Sequence, residues 1–127
     1  MVRNSKKRTF IHSVKDCLNG LNFIVLNENN FKRELILGII SLIFSFLFKI
    51  SRLEFIVVLI LNALVIVSET FNTAIEKVVD LYTKEYNEIA KIAKDVSAFA
   101  VLTMCMFSLI IGIIIFVPKI ISLFGGF

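Results

Sequence analysis

The stretch of sequence that decides the fold is residues 55–80, which read FIVVLILNALVIVSETFNTAIEKVVD. The run from Phe55 to Val67 is apolar except for Asn62, and polar residues enter only after it. Helices that cross a bilayer need about 20 mainly apolar residues. We therefore predict a membrane-spanning helix over about residues 54–81, with a polar second half.

A polar stripe runs along this predicted helix. At 100° per residue its five members, Asn62, Glu69, Asn72, Glu76 and Asp80, fall within an arc of roughly 80°. Carboxylates at membrane depth are costly unless they are paired or hydrated, and three on one face repel each other. A divalent cation would offset that repulsion, and Mg²⁺ binds through one or two carboxylates together with substrate phosphates.

The stripe also has two other interpretations. Polar residues can form a seam that joins helices within the membrane, and Asn62 alone could serve only that purpose. Carboxylates within a membrane can also line a path for ions or protons. The stripe by itself therefore does not choose between an enzyme, a transporter and a structural seam.

Two further apolar runs and the composition complete the architecture. We predict spans over about residues 32–50 and 96–117, the second ended by Pro118. The chain has 127 residues, of which 57% are apolar, above the roughly 45–50% of a soluble domain. A soluble fold this small could not hide so much apolar surface. We expect one all-α domain over residues 1–127, embedded in a membrane by three transmembrane helices.

The N-terminal segment differs from the spans because its apolar residues form a single stripe. The pattern predicts an amphipathic helix over about residues 8–26 that lies at the membrane surface, or alternatively packs on the protein's own core. Basic residues cluster before it and suit an anionic membrane surface or nucleic acid. With this hydropathy we expect a membrane and no nucleic-acid partner. The cluster comprises Arg3, Lys6, Lys7 and Arg8.

Basic residues also predict the orientation in the membrane. Seven of the 14 lie at or before Arg33 and four between Lys77 and Lys94, whereas Lys49, Arg52 and Lys119 fall on the other side. Because positive charge is enriched in cytoplasmic segments, the N-terminus and the 77–95 segment are expected in the cytoplasm. Nine of the ten acidic residues fall on that same side.

A second polar cluster, residues 28–34, precedes the first predicted span. It adds the carboxylates of Glu28 and Glu34 and the cations Lys32 and Arg33. The two cations could bind phosphate or anchor the helix at lipid headgroups. The sequence has no G-x-x-x-x-G-K-S/T loop and no G-x-G-x-x-G, so any ATP site is not a soluble nucleotide-binding fold.

Residues 69–80 resemble the signature E-x-x-N-(S/T)-A-I-E-x-x-(V/I)-D of the small prokaryotic diacylglycerol kinases. The pair Glu85-Tyr86, the segment AKIAKD at residues 90–95, and Gly20 with NENNF at 27–31 resemble further blocks of that family. The resemblance covers about residues 10–118. The segments AKIAKDV and IIFVPKI are similar to the undecaprenol kinase branch.

The resemblance implies a lipid kinase that transfers the γ-phosphate of ATP to the hydroxyl of a membrane lipid. The branch implies undecaprenol as acceptor and undecaprenyl phosphate as product, with diacylglycerol and phosphatidic acid as the alternative. It further implies Mg²⁺, a plasma-membrane homotrimer, and active sites at the cytoplasmic face between neighbouring subunits.

The resemblance also implies roles for particular residues. Glu69 matches the catalytic base, and Glu28 and Glu76 match the metal-binding carboxylates. Asn87 departs from the family, since histidine is common there, and Phe99 stands where small residues are usual. The matched nucleotide-site residues are Asn72, Asp80, Tyr86, Glu88, Lys94 and Asp95, and the other matched or neighbouring site residues are Glu34, Lys32 and Arg33.

The rival interpretation is a small ion or proton transporter with a path lined by carboxylates. It would use Glu69 and Glu76, but it gives no reason for Glu28, Lys94 and Asp95 outside the predicted spans. A non-catalytic membrane adaptor would explain the helices but not the stripe.

Overall fold

The computed structural model describes residues 9–125, and these residues form four helices without a strand. In chain order they are α1 (Phe10–Asn27), α2 (Asn29–Leu47), α3 (Arg52–Tyr82) and α4 (Glu88–Phe124). The prediction of an all-α fold is confirmed. The basic cluster before residue 9 lies outside the described residues.

A single residue, Glu28, separates α1 from α2. Its backbone is extended (φ −108°, ψ 108°), and its N–H donates to the carbonyl of Ile24, which closes the last turn of α1. The break falls within the predicted gap between residues 26 and 32, but α2 already begins at Asn29. On α1, Phe10 and Leu18 are exposed while Ile24 is buried, so the helix presents most of its apolar stripe outward and touches the bundle near its end.

The turn between α2 and α3 is held by side-chain hydrogen bonds. Ser51 Oγ accepts from the N–H of Glu54 at 3.2 Å, and Glu54 Oε2 accepts from the N–H of Ser51 at 2.7 Å. This reciprocal capping box satisfies two donors at the start of α3. Lys119 on α4 donates to Glu54 Oε1 at 3.0 Å. We call this region, comprising Ser51, Glu54 and Lys119, the turn end of α3.

Helix α4 is longer than the sequence predicted. It begins at Glu88, because Asn87 caps it by accepting a hydrogen bond from the N–H of Ala90 at 3.0 Å. The predicted end at Pro118 is wrong, since the helix continues to Phe124. Proline removes one intrahelical hydrogen bond, and membrane helices tolerate this where the turns on either side remain intact.

The interior is unusually polar and the exterior is apolar. The buried apolar side chains are only Ile24, Phe31, Val58 and Ile115 among the described residues. Large apolar side chains line the outside of all four helices, including Phe46 and Leu109. Such an exterior suits lipid rather than water. The buried polar side chains are Ser45, Glu69, Asn72, Thr73 and Ser97.

One polar contact joins α2 to α3 deep in the apolar region. Asn62 Nδ2 donates to Ser41 Oγ at 2.9 Å and to the carbonyl of Gly38 at 3.3 Å. Hydrogen bonds of this kind join helices in membranes. Asn62 therefore contributes to a seam between α2 and α3.

Two of the described helices, α3 and α4, are long and apolar enough to cross a membrane, with mean hydropathies of 2.1 and 2.8. Helix α2 has 19 residues, and its first turns carry Lys32, Arg33 and Glu34. At 1.5 Å per residue it is about 28 Å long, close to the thickness of a bilayer core. The count of three spans stays a prediction.

Candidate active site

Glu69 lies at the centre of a group of carboxylates inside the bundle. Its side chain is 3% exposed, and no hydrogen bond or ion pair joins it to another residue between 9 and 125. Glu28, Glu34 and Glu76 are all close enough to repel it electrostatically. We call these four residues the carboxylate group. They come from the break before α2, from α2 and from α3, and only the tertiary structure could bring them together.

Glu28 reaches the carboxylate group because it occupies the break between α1 and α2. Its Oε1 forms an ion pair with Lys77 Nζ at 3.0 Å. The same ammonium lies 5.8 Å from the centre of the Phe23 ring, within the range of a cation–π contact. Lys77 therefore ties the end of α1 to α3 and neutralises part of the negative charge of the group.

Glu34 approaches Glu69 from α2. Its Oε1 lies 4.0 Å from the Sγ of Cys105 on α4, and its Oε2 is buried with no hydrogen-bond partner among the described residues. A buried carboxylate oxygen without a donor is costly. Such an oxygen can be satisfied by a proton, by a cation or by a hydrogen-bond donor of a ligand.

Asn72 connects the carboxylate group to α4. Its Nδ2 donates to Glu76 Oε1 at 3.4 Å, and its Oδ1 accepts from Ser97 Oγ at 2.7 Å. Asn72 and Ser97 are both buried, whereas Glu76 is half-buried. The stripe thus becomes gradually more exposed toward Asp80, which lies at the surface.

A polar cleft of about 390 Å³ lies beside the end of α3, under the short 83–87 loop. Lys94 pairs with Asp80 at 2.6 Å across the two helices, and Lys91 pairs with Asp95 at 2.9 Å along α4. We call this cleft the terminal cleft. Its polar lining includes Asp80, Lys84, Tyr86, Lys91, Lys94 and Asp95.

Three predicted site residues take part in neither group. Glu88 is exposed in the first turn of α4, where a negative charge is favourable. Lys32 donates to the carbonyl of Leu26 at 3.0 Å, which places its charge at the end of α1. Arg33 is exposed on α2.

The carboxylate group suits Mg²⁺ by its chemistry. Between residues 9 and 125, no three or more His, Cys, Asp or Glu side chains are placed together to hold a metal ion by themselves. Mg²⁺ does not need one, because it binds through one or two carboxylates together with substrate phosphates and water. Glu76 carries a single weak hydrogen bond and so keeps lone pairs free for a cation.

Two apolar grooves adjoin the carboxylate group. One of about 600 Å³ lies between α3 and α4, lined by Val67, Phe71 and Phe99, and it reaches Asn72 and Ser97. The other, of about 470 Å³, lies between α1 and α3 and ends near Thr73 and Lys77. The departure at Phe99 thus places an aromatic ring in the wall of a groove.

Sequence reasoning missed two residues of this site. Lys77 follows Glu76 directly in the sequence and has the pattern of an ordinary lysine at the membrane interface. The fold, not the sequence, places it near Glu28. Ser97 opens an apolar run and carries no motif. Both are recognised only by what they contact, namely Glu28 at 3.0 Å and Asn72 at 2.7 Å.

The fold and the site define an all-helical membrane protein with a group of partly buried carboxylates and a separate lysine-containing cleft. The sequence model of the family described as prokaryotic diacylglycerol kinase matches residues 15–116. The chain is 34% identical over 113 residues to the undecaprenol kinase of Bacillus subtilis, which covers 89% of each protein.

Diacylglycerol kinases are also similar to this chain. That of Haemophilus influenzae is 33% identical over 107 residues, covering 84% of this chain and 91% of its own. That of Synechocystis is 32% identical over 105 residues, covering 82% of this chain and 60% of its own. The chain belongs to the prokaryotic diacylglycerol kinase family. It is therefore an integral membrane lipid kinase, as the resemblance predicted.

Proposed function

We propose that this lipid kinase transfers the γ-phosphate of ATP to the hydroxyl of undecaprenol, giving undecaprenyl phosphate. The observation that carries the proposal is a buried Glu69 on α3, the helix that also lines the terminal cleft and both apolar grooves. A water-soluble phosphate donor and an apolar acceptor would then approach this helix from different sides. The 34% identity with an undecaprenol kinase over 89% of both chains supports the choice of acceptor.

Phosphoryl transfer asks a protein mainly for positioning and charge neutralisation. In the proposed mechanism Lys94 and Asp95 hold the nucleotide in the terminal cleft, with Asp80 and Tyr86 beside it. Lys94 exchanges its ion pair with Asp80 for contact with the phosphates. Glu69 accepts the proton of the lipid hydroxyl as the oxygen attacks the γ-phosphorus and ADP leaves.

Glu69 is suited to the role of base because no residue between 9 and 125 competes for its oxygens. A general base contributes about 10²- to 10⁴-fold to rate when it lies within hydrogen-bonding reach of the proton. Glu28 and Glu76 would hold Mg²⁺, which supplies neutralisation of the phosphate charge when bound. Asn72 keeps the Glu76 carboxylate turned toward the group.

The lipid would enter sideways from the bilayer along an apolar groove. Its chain would meet generic apolar side chains, so the groove between α3 and α4 could hold a prenyl or an acyl chain. Diacylglycerol, the acceptor named for the Haemophilus and Synechocystis relatives, is the second candidate. Lys32, Arg33 and Glu88 would act at the edge of the site, and Glu34 beside Glu69.

We further propose that the site faces the cytoplasm of the plasma membrane, because that side holds ATP and the larger share of basic residues. We propose a homotrimer with sites between neighbouring subunits. The exposed apolar faces of α2, α3 and α4 leave room for subunit contacts as well as lipid.

The first experiment is transfer of radiolabelled phosphate from ATP by the purified protein in mixed micelles. Undecaprenol and diacylglycerol are offered separately, each with and without Mg²⁺. Mg²⁺-dependent transfer that favours undecaprenol supports the proposal. A preference for diacylglycerol overturns the acceptor and places the protein in phospholipid turnover. Transfer that is undiminished by chelation of divalent cations removes the metal role.

The transporter alternative predicts a different experimental result. Flux of ions or protons through protein in liposomes without ATP, together with no transfer to either lipid, would favour a carboxylate-lined path. Kinase membership makes transfer the expected result.

A further inference from the structure

Ser97 is buried against Asn72, which bonds to Glu76 of the carboxylate group, although no motif includes Ser97. Its side chain is 6% exposed and lies one turn after Lys94 on α4. Its Oγ is 2.7 Å from Asn72 Oδ1 and 2.9 Å from the carbonyl oxygen of Lys94. The closer acceptor is therefore the side chain of a predicted site residue rather than the helix backbone.

The Glu76 carboxylate, which only accepts, selects the NH₂ end of the Asn72 amide, and the Ser97 hydroxyl holds the opposite end. An asparagine amide can present its oxygen or its NH₂ group to either neighbour. If Ser97 donates its proton to Oδ1, the NH₂ group of Asn72 is left to donate to Glu76 Oε1, as observed at 3.4 Å. The reversed amide would turn its oxygen toward the Glu76 carboxylate, so two acceptors would face each other. Only the first arrangement satisfies all three side chains.

We propose that Ser97 is a positioning residue that holds Asn72, and through it the carboxylate of Glu76, in the orientation that receives a divalent cation. This inference rests on the proposed metal role of Glu76. Partners beyond the metal ligands fix ligand orientation, and their loss typically lowers metal affinity about 10- to 100-fold. Ser97 acts through one intermediate residue, so the lower end of that range is expected.

A second buried serine provides a matched control. Ser45 on α2 is 3% exposed, but its Oγ donates only to the backbone carbonyl of Ser41 at 2.8 Å. Such a bond has a local structural role. The two serines are alike in burial and in helical setting and differ in what the hydroxyl contacts. Replacing each with alanine therefore separates positioning from packing.

The test measures cation binding without turnover. Mn²⁺ is titrated into the purified full-length protein in micelles with a non-hydrolysable ATP analogue, against the analogue alone as blank, and the free ion is followed by its electron paramagnetic resonance signal. We expect Ser97→Ala to weaken Mn²⁺ binding about tenfold, Ser97→Thr to restore it because the hydroxyl returns, and Ser45→Ala to bind like the wild type. Circular dichroism confirms that each variant keeps its helices.

A second readout uses the kinase reaction. The Mg²⁺ concentration for half-maximal rate should rise in Ser97→Ala while KM for the lipid stays unchanged, since no part of the lipid groove is removed. If Ser97→Ala binds Mn²⁺ as tightly as the wild type, the positioning role of Ser97 is overturned and the proposed lipid kinase function is untouched. No Mn²⁺ binding by the wild type would remove the metal role of Glu76 and this inference with it, yet lipid phosphorylation could still proceed.

Discussion

The turn end and the middle of α3 carry glutamates in opposite states. At the turn end both oxygens of Glu54 are bonded, one to the N–H of Ser51 and the other to Lys119. In the middle of the helix Glu69 is buried, and no residue between 9 and 125 bonds it. The same side chain on one helix therefore has a structural role at the turn end and is left available for chemistry in the middle.

The difference shows how a carboxylate with a function can be distinguished from one with a structural role. A buried polar group without a partner costs free energy, so its persistence points to a ligand that supplies the missing contact. Carboxylates that repel each other, such as Glu28, Glu34 and Glu76 around Glu69, suggest a cation or a proton as that ligand. Three substitutions test the contrast, beginning with the largest expected effect.

Glu69→Gln should lower phosphate transfer about 10²- to 10⁴-fold, because the amide cannot accept the proton of the lipid hydroxyl. The fold should persist, since the substitution keeps the shape of the side chain and removes a repelled charge. Radiolabelled transfer and thermal unfolding measure the two effects. Activity equal to the wild type would remove Glu69 as the base and erase the contrast between Glu54 and Glu69.

Glu76→Gln should raise the Mg²⁺ concentration needed for half-maximal rate about 10- to 100-fold, because one anionic ligand becomes neutral. The rate at saturating Mg²⁺ should recover in part, which distinguishes a metal ligand from a base. A titration of Mg²⁺ at fixed ATP makes the measurement. An unchanged midpoint would show that the hydrogen bond from Asn72 is the whole role of Glu76.

Glu54→Gln should leave the rate of phosphate transfer within about twofold of the wild type, because the substitution is remote from the site. It should lower the unfolding temperature slightly. The variant weakens the pair with Lys119, but exposed ion pairs contribute little. Thermal unfolding in micelles, followed by circular dichroism, gives the shift. A large loss of transfer here would mean that the turn end also shapes the active site.

The helices could be predicted from the sequence because apolar periodicity depends only on local spacing. The break at Glu28 and the long α3 follow from such spacing. The polar start of α4 was missed because its cap depends on one contact, from the N–H of Ala90 to Asn87. Its continuation past Pro118 was missed because a proline removes only one intrahelical hydrogen bond, and membrane helices tolerate that loss.

The sequence by itself determined the membrane class, the single polar stripe on α3 and, through the signature at residues 69–80, the family. It could do so because these properties lie in the order of residues along one helix. Only the tertiary structure decided which polar residues meet: Glu28 with Lys77, Asn72 with Ser97, and Asp80 with Lys94. Those pairs join different helical segments, and their geometry depends on how the helices pack, which no local spacing specifies.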